Sequence, residues 1–130
     1  MNPVEESLLA RLVGLKVVSV AFVRDYLELE FGTGARLFCY AWPTVEVAGT
    51  TRRFGDIGYR DALCALIDQV VLSTDEAVGV GLLVRFGVGA LSIHPTPDEL
   101  QGPEIAMLSG FADQALEVWR PGEHTFADLE

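Results

Sequence analysis

Residues 27–40 read LELEFGTGARLFCY, and residues 82–94 read LLVRFGVGALSIH. One chain thus carries nearly the same phrase twice. In the first copy Leu27, Leu29 and Phe31 alternate with Glu28 and Glu30. That is the period of a strand with one dry face and one wet face. The glycines of FGTGA then allow a tight reversal, and Leu37–Tyr40 is the returning strand. In the second copy Leu82, Val84 and Phe86 take the places of Leu27, Leu29 and Phe31.

The likeness extends outward from these hairpins. Leu12, Val13, Val17 and Ser19 correspond to Leu66, Ile67, Val71 and Ser73 at a constant offset of 54, read directly from the numbering. The hairpins align at 55, and removing Arg36 restores 54 for Leu37 and Leu91. One residue gained in one loop and lost in another is the mark of a drifted duplication. Before the first strand, Leu8, Leu9, Leu12 and Val13 recur at helical spacing. Asn2 and Pro3 suit a helix start, Glu5 and Glu6 suit its positive end, and Gly14 suits its stop. Before the second copy, Asp56 reads as a cap for IGYRDALCALIDQ, whose stripe is Ala62, Leu63, Leu66, Ile67 and Val70. The expected fold class is therefore α+β: two pseudo-repeated units, each a helix plus an antiparallel β-meander, packed in one domain over residues 1–130. The units span about 4–44 and 56–95. One unit leaves an apolar sheet face that a second can cover.

Residues 96–130 depart from the repeat and read as an acidic C-terminal extension. Thr96, Pro97 and Glu99 have the spacing of a capping box and predict a helix that Gly102-Pro103 must stop. Residues 115–119 read as a final strand, and TVEVAGTTRRF predicts a short hairpin around Gly49.

Half of the residues are apolar and 22% are charged, a globular balance. The net charge of −10 is lopsided. In residues 1–60, Arg11, Lys16, Arg24, Arg36, Arg52, Arg53 and Arg60 offset the acids. Beyond them only Arg85 and Arg120 do so, and the second half carries the whole excess. Such a surface repels phosphates and anionic lipid, which argues against nucleic-acid and membrane partners and for a basic protein partner. No apolar run is long enough to span a membrane. Glu5 and Glu6 stand where a signal peptide carries basic residues, so the expected location is the cytoplasm. Cys39 and Cys64 have no metal or redox spacing and read as small core hydrophobes.

The pattern LVGLKVVSV…YLELEFGTGARL, followed by LIDQVVLS…GLLVRFGVGALSI and ALEVW, resembles small bacterial domains of unknown function that repeat such a unit. Some of those lie among proposed immunity proteins of bacterial toxin systems. This chain departs from the repeat in having Asp68 where the first copy has Gly14. The resemblance implies a protein that acts by binding another protein. It transfers no catalytic residue.

The residues themselves leave three functional readings open. The first is a non-catalytic protein that captures a basic partner, with Glu99, Glu104, Glu117 and Trp119 as its contact residues. The second is a ligand-binding or enzymatic domain with a site near Arg52, Arg53, Tyr59 and His94. Arginines before a helix N-terminus can grip a carboxylate or phosphate there. The third is a structural homodimer. No catalytic constellation or cofactor fingerprint is read: the glycines of GVGLLVRFGVGA lack a phosphate-binding lysine. His94, near Asp98 and Glu99, has the surroundings of a metal ligand or general base with a carboxylate helper, but nothing in the spacing demands a metal site with His124.

Overall fold

The computed structural model describes residues 7–77, 81–100 and 103–120. Within them the chain is mainly antiparallel β-structure. The strands are β1 (Val17–Val23), β2 (Tyr26–Phe31), β3 (Arg36–Cys39), β4 (Thr44–Val47), β5 (Thr50–Arg52), β6 (Val71–Ala77), β7 (Gly81–Phe86), β8 (Gly89–Ile93), β9 (Ala106–Ser109) and β10 (Glu117–Trp119). The one α-helix among the described residues, α1, covers Tyr59–Cys64.

The α+β expectation of two helical units is therefore wrong. The Leu8-to-Val13 stripe winds only as a five-residue 3₁₀ helix, Leu8–Leu12, capped by the Ser7 side chain. Asn2, Pro3, Glu5 and Glu6 lie outside the described residues. The second stripe is also cut short. Tyr59, Ala62, Leu63 and Leu66 are buried, but Ile67 and Val70 stand well exposed, so the apolar face runs out after two turns. So short a helix is not stable by propensity and depends on what it buries. Its N-cap is Gly58, in the left-handed region, rather than Asp56. Thr96 and Glu99 do form the capping box, yet the helix after them is a single 3₁₀ turn, Pro97–Glu99. The reading of both cysteines as core residues is half corrected: Cys39 is buried, whereas Cys64 is exposed on α1.

What recurs is the meander. In β1–β2 the register slips between Val17 and Ser19, and in β6–β7 it slips between Val71 and Ser73. Both seven-residue strands show the same sequence of buried and exposed positions. Phe31 and Phe86 are both buried. The recurrent serines sit at the bulge. Ser19 Oγ lies 3.4 Å from Glu30 Oε1, and Ser73 Oγ accepts from Arg85 at 3.2 Å, so each meets the charged residue across the pair.

The two sheets are β1-β2-β3-β9-β10 and β6-β7-β8-β4-β5. Each holds the meander of one unit and the following hairpin of the other. The last third of the chain does not depart from the repeat; it completes it. Leu37 pairs with Leu108 in the first sheet, and the equivalent Leu91 pairs with Val45 in the second. The helical turns are exchanged as well. The Leu8–Leu12 turn packs on β6, and α1 packs on β4 and β1. The inward faces of both sheets, together with Leu9, Leu12, Tyr59, Leu63 and Leu66, form one apolar core. No described helix is long and apolar enough to cross a membrane.

The repeated glycines do different jobs in the two copies. Gly34 has φ +96°, as a reversal requires. Gly89 instead lies where β4 crosses β8, and a Cβ there would fall 1.7 Å from the Glu46 carbonyl oxygen. Its lack of a side chain is what lets the exchanged hairpin dock.

Candidate functional site

The crossover from β3 to β4 builds the most developed site. Tyr40 and Ala41 both donate their backbone N–H to the Ile105 carbonyl, at 2.9 and 3.1 Å, which pins the chain as it leaves the first sheet. Trp42 precedes Pro43, which disfavours a helical backbone there. The Tyr59 hydroxyl of α1 donates to the Pro43 carbonyl, so the helix is tied to the crossover. Burial pushes the Tyr59 phenol far above its ordinary range, so it serves as a neutral donor.

Beyond β5 the chain turns sharply. Asp56 Oδ2 accepts from the Arg53 N–H at 2.7 Å, and the Asp56 N–H donates to the Arg53 carbonyl at 2.9 Å. This turn projects Phe54, 56% exposed, against Trp42. Their rings stack at 4.4 Å and 20°, and Phe54 meets Tyr59 edge-on at 6.0 Å.

The Trp42–Phe54 stack forms a wall between two clefts. One, of about 310 Å³, is bounded also by Phe22, Arg24, Asp56, Tyr59 and Arg60. The other, of about 480 Å³, is bounded also by Arg53, His94, Pro95, Thr96, Asp98 and Glu99. The first is cationic in balance; the second has charges of both signs. Arg60 is set in place by Phe22, whose ring centroid lies 5.8 Å from the guanidinium carbon. Among the described residues no carboxylate forms an ion pair with Arg24, Arg53 or Arg60, whereas Arg11, Arg36, Arg85 and Arg120 all have one.

Of the ligand residues expected from the sequence, Arg53 and His94 come together in the larger cleft, and Tyr59 floors the smaller. Arg52 borders neither; its Nε donates to the Ile57 carbonyl at 3.2 Å. Arg24 and the wall residue Trp42 were missed as site residues. The only sequence signal for Arg24 is its place in the β1–β2 reversal, and Trp42 betrays itself only by preceding a proline.

The four expected partner residues are engaged in different ways. Glu99 is spent on the Thr96 N–H at 2.9 Å, and Glu104 pairs with Arg120 at 3.3 Å. Trp119 is buried and donates its indole N–H to Glu76 at 2.8 Å. Glu117 is half-buried, and its carboxyl is raised above the ordinary value by burial first and by Glu76 second. His124 lies outside the described residues. No group of three or more His, Cys, Asp or Glu side chains among the described residues is placed to hold a metal ion.

No family model, no curated protein and no solved structure matches this chain.

Proposed function

We propose that this protein is a binding module whose site is the paired cleft around Trp42 and Phe54. Its ligand is a small anion with a flat apolar part. The observation that carries this reading is the stack of exposed Phe54 on half-buried Trp42, standing beside guanidinium groups with which no described carboxylate forms an ion pair. A ring can lie on the wall while a carboxylate or phosphate takes bidentate hydrogen bonds from Arg60 or Arg24. Both clefts are in the size range of small-molecule sites. The reading is of binding without catalysis, in the cytoplasm. The two free cysteines support that location.

Trp42 supplies the assay, because Trp119 is buried and hydrogen-bonded. Phenyl phosphate and benzoate should quench intrinsic fluorescence saturably, while inorganic phosphate alone should bind more weakly. Arg60→Ala should weaken phenyl phosphate about tenfold, and Trp42→Phe should abolish the signal. A response that survives Trp42→Phe, or no saturable response to either aromatic anion, would sink this reading.

A further inference from the structure

The exchange of hairpins supplies an internal control, because the outward faces of the two sheets can be compared position by position. In the first sheet Phe38 pairs with Met107, and in the second the equivalent Ser92 pairs with Thr44. Tyr26 and Tyr40 flank Phe38, with ring centroids 6.2 and 6.4 Å from it and 5.6 Å from each other. Val118 extends the patch beside Met107. The counterpart of Tyr26 is Gly81, whose backbone has φ +75° and no room for a Cβ. The comparison therefore rests on Phe38 and Met107 against Ser92 and Thr44. The same strand pairing is built with Ser and Thr on one side. Apolar side chains are thus not needed at these outward positions for the fold, and nothing described covers them. Tyr26, Phe38, Tyr40, Met107 and Val118 are each half-buried.

The charge around this patch is negative. The Tyr40 phenol is raised above its ordinary value by burial and then by Glu104, with Glu28 adding in the same direction. Glu28 and Glu30 flank the aromatics on β2 and share Arg36, at 2.7 and 3.9 Å, and Glu104 pairs with Arg120 at 3.3 Å, so three carboxylates stand against two guanidinium groups.

We infer that the outward face of the first sheet is an interaction surface for a basic, extended protein segment. Its Arg or Lys side chains would stack on Tyr26, Phe38 and Tyr40 and end among Glu28, Glu30 and Glu104. Aromatic faces ringed by carboxylates suit cations, and the net charge of −10 draws such a segment in. The same charge disfavours a phosphate-bearing occupant. This surface does not depend on the Trp42–Phe54 cleft, and either can fail alone.

The test uses a labelled peptide of alternating Arg and Ala and the same peptide with Glu in place of Arg, read by fluorescence anisotropy on the full chain. The Arg peptide should bind, and the Glu peptide should not. Phe38→Ser with Met107→Thr copies the second sheet onto the first. It should weaken the Arg peptide at least tenfold while leaving the thermal midpoint within a few degrees. Glu28→Gln with Glu104→Gln, which keeps every aromatic ring, should flatten the salt dependence of binding between low salt and about 0.3 M. Several results would overturn the inference: equal binding of both peptides, Arg-peptide binding untouched by the Ser/Thr exchange, or a wild-type dimer that the exchange makes monomeric. A chain ending at residue 120 that binds the Arg peptide no differently from the full chain supports it. One that newly exposes the patch to an apolar dye identifies the chain's own end as occupant and overturns it.

Discussion

Lys16 and Val70 face each other across an antiparallel bridge, and they are the same position of the two units, 54 residues apart. The bonds around them are reciprocal. The Gly14 N–H donates to the Val71 carbonyl at 2.9 Å, and the Asp68 N–H donates to the Val17 carbonyl at 2.7 Å. The Val17 N–H donates to Gln69, and the Val71 N–H donates to Leu15, at 3.0 and 2.9 Å. Each donor and acceptor in one bond has its 54-residue equivalent in the other. A pseudo-two-fold axis therefore passes between Lys16 and Val70.

That axis explains the sequence mismatch between Gly14 and Asp68. Both have positive φ, +89° and +76°. Gly14 has nothing within 4 Å of a built Cβ, so only the backbone opposes a side chain there. Gly14→Ala should cost about 1–2 kcal/mol, the penalty of the left-handed region for an L-residue. Asp68→Gly should be neutral or stabilising by up to about 1 kcal/mol, because relief of that strain offsets the added freedom of the unfolded chain. Urea melts of the two variants decide it, and equal losses would refute the pairing.

The exchange of hairpins and helical turns means that neither unit holds a complete sheet. Two chains cut after Ile57, which is 98% exposed, should each be unfolded alone and should regain strand signal in circular dichroism when mixed. A stable first fragment would contradict the interlocked core. Within the intact chain, Phe31→Ala and Phe86→Ala should each cost about 3–5 kcal/mol, and by similar amounts, because they fill equivalent buried places.

The meander strands were legible because Leu27, Leu29 and Phe31 alternate with Glu28 and Glu30 and the second copy repeats their spacing and turn, and the hairpin around Gly49 was legible from its turn. The exchange was not legible. No local pattern tells β4 to leave β3 and pair with β8. That choice lies in the Pro43 crossover and in the room left at Gly89. The helices were over-read because leucines at helical spacing can also satisfy a 3₁₀ turn beside a sheet. The site was half legible: Arg53, Tyr59 and His94 drew notice by residue type. The Trp42–Phe54 stack forms only when a turn brings together residues of two hairpin ends.

Gly89→Ala tests that crossover directly. Its Cβ would collide with the Glu46 backbone carbonyl, and backbone cannot step aside as a flexible side chain can. Overpacking of this kind costs about 1–3 kcal/mol or more, and the loss should appear as weakened protection of the β4 amides in hydrogen exchange. Gly87→Ala, with nothing within 4 Å and no positive φ, is the control and should change stability by less than about 0.5 kcal/mol.

Glu117 gives stability a pH dependence of known sign. Its carboxyl accepts from the Leu8 backbone N–H, which lowers its pKa, but burial and the neighbouring Glu76 outweigh that and raise it above 4.5. Between 4.5 and the raised value the native chain binds more protons than the unfolded chain. The stability contributed by this group is therefore complete below the unfolded value and is lost as pH rises through the folded one. Glu117→Gln removes the titration and keeps an acceptor for Leu8. It should be more stable than the wild type at pH 7, by less than about 1 kcal/mol because the group is half solvated. The advantage should shrink towards zero on acidification below 4.5, since the wild type is then neutral at the same position. Titrating groups away from Glu117, such as Asp113, which the Ala115 N–H and then Arg11 hold below the ordinary range, are common to both proteins and cancel in the difference. Paired thermal melts from about pH 4 to 8 give that difference directly. A gap that widens as the pH falls would mean that the Leu8 N–H outweighs burial and Glu76 and lowers the Glu117 carboxyl instead.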